Sequence, residues 1–519
     1  MEVKKFPSIF NDVMGPIMRG PSSSHCASSV RIGKMARDLM DGNLKEILIE
    51  FDPKGSLATT HESQGSDMGL FGGFLGWEAS DERLVNSAKA IEEAGIKINI
   101  KINDIKAKHP NTYKLTLKNE TETHEMVAIS TGGGMIEIVE IDRTKVSMVG
   151  DCYETLIYTD ETGVLDYLQN KFLTDEIIPC KGVDTNFIEI KGQKFLEHEV
   201  AKELRSKIKI SGIKELRPVL PVLSNKGTIV PFSTCEEMLK YNKDKNLNLW
   251  ELATQYESIR GNISTEEVFN KMKNIVMVMK DSIINGIRGT EFADRILGYQ
   301  SGSFKTQIDN RGLLDCGILN QMILYITAMM EIKSSMGVIV AAPTAGACGT
   351  IPGALLGAAS VMKLSESKIA EAMLVAGLIG IFISNGATFS AEIGGCQAEC
   401  GSASGMAAAG LVIMKEGNTK QAIDAASMAL QNIFGMVCDP VANRVEVPCL
   451  GKNVMAASNA LSCANMALAN YDSVIPLGEV IEAMNKVGIS IPYELRCTAL
   501  GGLSVTKTSK ALEKKLGNN

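Results

Sequence analysis

The hydrophobic period of this chain changes along its length. In the first part apolar side chains recur at every second position, in ILIEF (47–51), INIKI (98–102), YKLTL (113–117) and MIEIVEI (135–141), the alternation of strands with one buried face. Between them an amphipathic helix is expected from about Ser28, with Ile32, Met35, Ala36, Leu39 and Met40 on one face and Gly42 as its stop. From about Ser233 the period lengthens: Phe269, Met272, Val276, Met279 and Ile283 recur at helical steps after Ser264 and Glu267, which have capping-box spacing. Two periods in separate stretches predict an α+β multidomain protein, with an α/β domain over 1–150 and a mostly α-helical domain over 233–519. Between these, YETLIYTD, a helical stretch near Leu165, FIEI and a further helix read as a small βα module over 151–215, of a regulatory, ACT-like kind, or as a linker.

A chain of 519 residues can bury a sizeable core in two or three domains. The N-terminal MEVKKFPSIFNDVMGP holds no apolar run of signal-peptide length, so a cytoplasmic location is expected and the 12 Cys read as reduced thiols. A net charge of −7 without a Lys/Arg block gives no electrostatic footprint for nucleic acid, which leaves a small molecule as the expected partner. The uncharged window AMLVAGLIGIFISNGATFSA (372–391) has a strictly apolar part that ends near Ile383. Because a membrane span needs roughly 20 apolar residues, a buried core helix and no membrane partner are expected.

All five His (His25, His61, His109, His124 and His198) precede residue 200, whereas the helical part contains Cys and no imidazole. A metal site there must use Cys and oxygen ligands, which favours iron–sulfur chemistry or an all-Cys zinc site; each thiol taken alone reads as a small buried hydrophobe. GGCQAECGSASGMAAAG (394–410) sets Cys396 in a glycine-flanked turn before a small-residue helix, where backbone N–H groups favour a thiolate. CDPVANRVEVPC (438–449) adds Cys438 and Cys449 at the ends of a strand-like, Pro-marked segment, giving C-x41-C-x10-C. Three thiolates on a four-iron cube leave one iron free to act as a Lewis acid on a hydroxyl leaving group. Cys348, in the glycine turn PTAGACG, reads as a packing residue or a contact beside the site, and Cys400, four residues from Cys396, can face it across one helical turn. GPSSSH (20–25) gathers three hydroxyls at a helix start, which suits a carboxylate or is an ordinary Ser N-cap, and STGGG (130–134) is a tight turn with or without a ligand.

GPSSSH, STGGG, SSMGVIVAAPTAGACG (334–349), GGCQAE, CDPV…VPC and TALGGLSVT (498–506) together resemble the oxygen-sensitive iron–sulfur L-serine dehydratases, with β-type and α-type parts fused in one chain. The resemblance implies a [4Fe–4S] cluster on Cys396, Cys438 and Cys449 and elimination of water from L-serine to give pyruvate and ammonia. It also implies a substrate site lined by Ser22, Ser23, Ser24, His25, Ser130, Gly132 and Gly133, and a homodimer. One stretch departs from the family pattern: where it has G-K-G-H-G-T-D, with His as the proposed base, this chain has GSLATTHESQGSD (55–67), with Gln64 at that position. Glutamine takes no proton at neutral pH, so His61 and Glu62 are the replacement candidates. The alternatives are a carbon–sulfur lyase that releases sulfide from cysteine, an iron–sulfur redox or ligand sensor, and a structural zinc site.

Overall fold

A computed structural model describes residues 6–516 except 162, 173 and 184. After a two-residue strand β1 (Ile17–Met18), the strands β2 (Glu46–Phe51), β3 (Lys97–Ile102), β4 (Thr112–Lys118), β5 (Thr123–Gly132), β6 (Met135–Ile141) and β7 (Thr144–Met148) form one sheet in the order β3-β2-β4-β5-β6-β7. The β2–β3 pair is parallel and is connected through helices, as a parallel crossover requires; the other pairs are antiparallel. All four stretches of two-residue period lie in this sheet. Their inward side chains, Ile47, Ile49, Phe51, Leu115, Leu117, Ile136 and Ile138, share a core with Ile32, Met35, Ala36 and Leu39 of the helix Ser28–Leu39. That helix ends at Met40, and Gly42 follows at φ +78°. It meets the helix Ser66–Phe74 almost backbone to backbone: a Cβ on Gly69 would lie 2.2 Å from the Cys26 carbonyl oxygen, and one on Gly73 2.3 Å from that of Val30.

Strands β8 (Tyr153–Tyr158), β9 (Glu176–Lys181), β10 (Asn186–Gly192) and β11 (Gly212–Leu216) form a second, antiparallel sheet in the order β11-β8-β10-β9. With the helices Gly163–Lys171 and His198–Lys207 the sequence is βαββαβ, the ferredoxin-like arrangement. Ile157, Val164, Leu168, Ile188, Ile190 and Leu204 give it a core of its own.

The remainder is helical apart from β12 (Ile339–Val340), which pairs antiparallel with β1 and ties the N-terminal segment to the helices. Ile9, Phe10, Val13, Met14 and Met18 are buried in the helical core, and buried Glu257 accepts hydrogen bonds from the Ser8 hydroxyl and from the Ile9 N–H (2.7 Å). The helix Glu366–Gly386 is long and apolar enough to cross a membrane, but 78% of its apolar window is buried inside the protein. It packs on the small-residue helix Ser402–Met414, and both belong to the helical core. Ser264 caps the helix Thr265–Arg288 by accepting from the Glu267 N–H at 3.1 Å. Its buried face is Val268, Met272, Ile275, Val276, Met279 and Ile283. Phe269 lies at the edge, half-buried against Trp250 with ring centroids 6.0 Å apart.

Candidate functional site

Cys396, Cys438 and Cys449 arrive on three separate segments. The helix Ala391–Gly394 ends at Gly395 (φ +71°), and Cys396 then opens the π-helical turn Gln397–Gly401 that leads into Ser402–Met414. Cys449 is the first residue of the helix Cys449–Leu468. Cys438 is held by the C-terminal segment: its N–H donates to the Leu495 carbonyl (2.8 Å), and its carbonyl accepts from the Cys497 N–H (2.9 Å). The segment 438–449 is not the strand its alternation predicts. Pro440 and Pro448 have no N–H to offer a ladder, Ala442 and Asn443 have φ of +49° and +58°, and Val441–Asn443 form a 3-10 turn.

The three thiols are 3%, 6% and 7% exposed. The Cys400 thiol hydrogen-bonds that of Cys396 and, with Lys452, lowers its pKa against the effect of burial. Cys497 hydrogen-bonds Cys438, and with burial raises the pKa of that thiol, while burial pushes Cys449 up to about 12. The surroundings therefore favour ionisation of Cys396 and oppose that of Cys438 and Cys449, where a bound metal centre would supply the charge that favours the thiolates. Among the described residues no three His, Cys, Asp or Glu side chains group closely enough for a single metal ion. The charge of Cys396 bears on both Cys438 and Cys449, so the three buried thiols face a common region, and an all-thiol donor set suits an iron–sulfur cluster.

Beside the thiols lies a buried polar site built from four loops. Ser22 Oγ lies 3.0 Å from His25 Nδ1, and Thr60 Oγ1 lies 2.9 Å from His25 Nε2. Because the Thr60 hydroxyl already donates to the Ser56 carbonyl (2.7 Å), it must accept from Nε2–H, which leaves Nδ1 to accept from Ser22. His25 is thus neutral, and burial holds its pKa down. Ser24 and Ser390 donate to the two oxygens of Glu392, at 3.0 and 2.7 Å. Burial opposes ionisation of Glu392, yet the charge of the His25 ring when that ring is protonated, together with these hydroxyls, holds its carboxyl below the usual range. Ser23 Oγ accepts from the Ala345 N–H of the PTAGACG turn (3.1 Å). The three hydroxyls of GPSSSH thus point to three partners rather than converging on one.

STGGG closes this site from the sheet. Ser130 Oγ is 2.9 Å from Ser28 Oγ, and Gly132 and Gly133 have φ of +101° and +62°. A Cβ on Gly132 would lie 3.0 Å from that of Ser390, and one on Gly133 3.2 Å from the Pro343 carbonyl oxygen, so glycine permits both the turn and the contact.

The candidate bases separate. His61 Nδ1 pairs with Asp67 at 2.8 Å and its ring lies 5.1 Å from that of Phe51. Burial works against the charged ring, but the hydrogen bond and charge of Asp67 outweigh it and raise the pKa. Glu62 is exposed and lines a cavity of about 140 Å³ with Lys333 and Arg444. Gln64 is 1% exposed and its Nε2 approaches Cys497 Sγ at 3.8 Å, so the Gln64 position, not that of Glu62, faces the thiols.

Sequence reasoning missed Glu392, Glu399, Asn453 and Cys497. Glu399 accepts from Thr344 Oγ1 (2.6 Å), and burial with the nearby Cys396 pushes its pKa up to about 8. Glu392 and Glu399 are the only charged residues between Glu371 and Lys415, a signal visible in the sequence. Asn453 stands one helical turn after Cys449, but its contacts with Gly346 and Thr350, like those of Cys497, are distant in sequence, and no local pattern records them.

The family described as serine dehydratase alpha chain matches residues 244–504. The probable L-serine dehydratase alpha chain of Bacillus subtilis is 36% identical over 285 residues, covering 55% of this chain and 95% of that protein. The L-serine dehydratase alpha chain of Peptoniphilus asaccharolyticus is 34% identical over 284 residues, 54% of this chain and 97% of the other. The probable beta chain of the Bacillus subtilis protein is also similar, 36% identical over 167 residues, 32% of this chain and 74% of that one. With likeness to both chains of a two-chain relative, and its α-type match extending through the thiol loops, this protein belongs to the serine dehydratase alpha chain family.

Proposed function

We propose that this protein is an L-serine dehydratase, converting L-serine to pyruvate and ammonia with a [4Fe–4S] cluster held by Cys396, Cys438 and Cys449. The observation that carries the reading is the adjacency of two unlike sites: three buried thiols on converging segments, and next to them a buried Ser/His/Glu site continued by Glu392 into the Cys396 turn. When bound, a cluster with three thiolates supplies a Lewis acid that makes hydroxide a tolerable leaving group.

The chain's own groups supply the rest. Ser22, Ser23, Ser24 and His25, with Ser130, Gly132 and Gly133, bind and orient the amino acid, their hydroxyls turning from protein partners to its carboxylate. Glu392, ionised at neutral pH and already a hydrogen-bond acceptor, takes the ammonium. His61 Nε2 removes the α-proton, with Asp67 holding the ring by Nδ1–H and stabilising the imidazolium, while Gln64 leaves the thiol face without a second base. The resulting aminoacrylate tautomerises and hydrolyses to the oxoacid. The same reading carries a cytoplasmic, oxygen-sensitive homodimer.

The test is pyruvate and ammonia release from L-serine by protein purified and cluster-loaded without oxygen. Turnover that decays on exposure to air supports the reading. An iron-loaded preparation that leaves serine untouched refutes it, and sulfide release from L-cysteine by that preparation replaces it with the carbon–sulfur lyase.

A further inference from the structure

The thiol region also contains a buried cation that no carboxylate pairs among the described residues. Lys333 stands in the last turn of the helix Ile318–Ser334 and is 1% exposed. Its ammonium donates to the Val445 carbonyl, and among the described residues it makes no ion pair. Lysine is almost never fully buried unless paired, because an ammonium away from water loses hydration that a single neutral carbonyl does not replace. The helix C-terminus contributes partial negative charge, but only a fraction of a unit.

Glu62, which lines a cavity with Lys333, is exposed to water, and the other neighbouring acids are engaged elsewhere. Asp294 accepts from Arg444 Nη2 at 2.6 Å, and Glu446 from the N–H groups of Ile296 and Leu297 at 3.0 and 2.9 Å. Glu399 takes the Thr344 hydroxyl. Val445 lies four residues before Cys449, so the ammonium is tied to the segment that delivers a candidate ligand. Its positive charge also favours the ionised forms of Cys449, Cys348 and Glu399. Of the three candidate ligands, the positive charge thus bears on Cys449, the one whose segment it holds through Val445.

The geometry points to Lys333 as the counter-charge of the thiolate-bound cluster, the fixed cation that offsets its negative charge and holds its reduction potential up. This rests on the cluster assignment made above. A four-iron cube with three thiolates carries net negative charge, reduction by one electron adds more, and a cation in a medium of low dielectric stabilises the reduced form more than the oxidised one. Lys333 touches no substrate in this role; it acts through the cluster.

The measurement is the cluster's midpoint potential, by redox titration followed by electron paramagnetic resonance, in wild type, Lys333→Gln and Lys333→Arg, each assayed for iron and acid-labile sulfide. Gln keeps a donor for the Val445 carbonyl and removes the charge; Arg keeps the charge. A potential lowered in Lys333→Gln and near wild type in Lys333→Arg is the expected result. Loss of iron from folded Lys333→Gln with retention in Lys333→Arg supports the same conclusion. An unshifted potential in iron-loaded Lys333→Gln, or loss of iron from both variants, overturns the counter-charge alone. Wild-type protein that takes up no iron and sulfide overturns the cluster assignment beneath it.

Discussion

Asn453 is fully buried and joins three parts of the thiol region. Its Nδ2 donates to the carbonyls of Gly346 (2.8 Å) and Cys449 (2.9 Å), and its Oδ1 accepts from Thr350 Oγ1 (2.8 Å). Asn453→Leu keeps the branching and nearly the volume but removes every polar atom. The Gly346 carbonyl and the Thr350 hydroxyl are then buried without these partners; the Cys449 carbonyl faces an intrahelical N–H. At about 1–3 kcal/mol for each of the two stranded groups, the substitution destabilises by about 2–6 kcal/mol. Urea unfolding of the reduced, metal-free protein, followed by tryptophan fluorescence, measures it. Adding Thr350→Val removes one stranded group, so the double variant should be about 1–2 kcal/mol more stable than Asn453→Leu. A single variant within about 0.5 kcal/mol of wild type, the range of ordinary surface changes, refutes the reasoning.

Cys438→Ser is expected to lose iron and turnover together, whereas Cys497→Ser, although it alters a thiol in contact with Cys438, is expected to keep iron and acid-labile sulfide at wild-type levels; iron analysis of both decides which thiol is a ligand. The acid limb of the pH–rate profile is expected above the ordinary histidine value of about 6.5, because His61 must be neutral to act as a base and Asp67 raises its pKa. Asp67→Asn removes the raising influence and leaves burial, so the limb should move to lower pH while the maximal rate falls. The same shift gives the His61–Asp67 pair a stabilising effect that is full below the unfolded value and lost as pH rises through the folded one, so pH-dependent unfolding of Asp67→Asn should lack it. Gly73→Ala, which sets a methyl 2.3 Å from the Val30 carbonyl oxygen, is expected to cost about 1–3 kcal/mol, measured by thermal or urea unfolding.

The elements most legible in the sequence are those whose side chains obey one period throughout. Strands β2, β3, β4 and β6 alternate because one face of each meets the helix layer, and the apolar run through Ile383 is buried on nearly every side. The βαββαβ unit is less legible because its strands bury charge: Glu154 and Glu189 are each 1% exposed, and Lys191 lies 3.0 Å from Glu189 Oε1. These carboxylates interrupt the hydrophobic pattern, so the same residues read equally as a linker. The segment 438–449 misleads in the opposite direction, since its Val residues alternate while its prolines prevent pairing. In the candidate site, spacing and glycine turns draw attention to Cys396, Cys438 and Cys449. The role of Glu392 depends on Ser24, 368 positions away, and that of Gln64 on Cys497, 433 positions away, and no local pattern records such contacts.

The C-terminal segment grips the Cys438 loop at several points: Leu495 and Cys497 through the backbone, Leu503 N–H on Asp439 (3.0 Å), Ser504 Oγ on the Pro440 carbonyl (2.8 Å) and Ser509 Oγ under the Ala442 N–H (2.9 Å). A chain emerging from the ribosome has all three candidate ligands outside the tunnel before it has made the clasp that positions one of them. On the cluster assignment proposed above, delivery of metal to a properly shaped centre waits until residues 495–509 have closed on the Cys438 loop. A chain cut before residue 495 is then expected to keep Cys396, Cys438 and Cys449 and most of its helical core while losing the clasp that shapes the Cys438 loop.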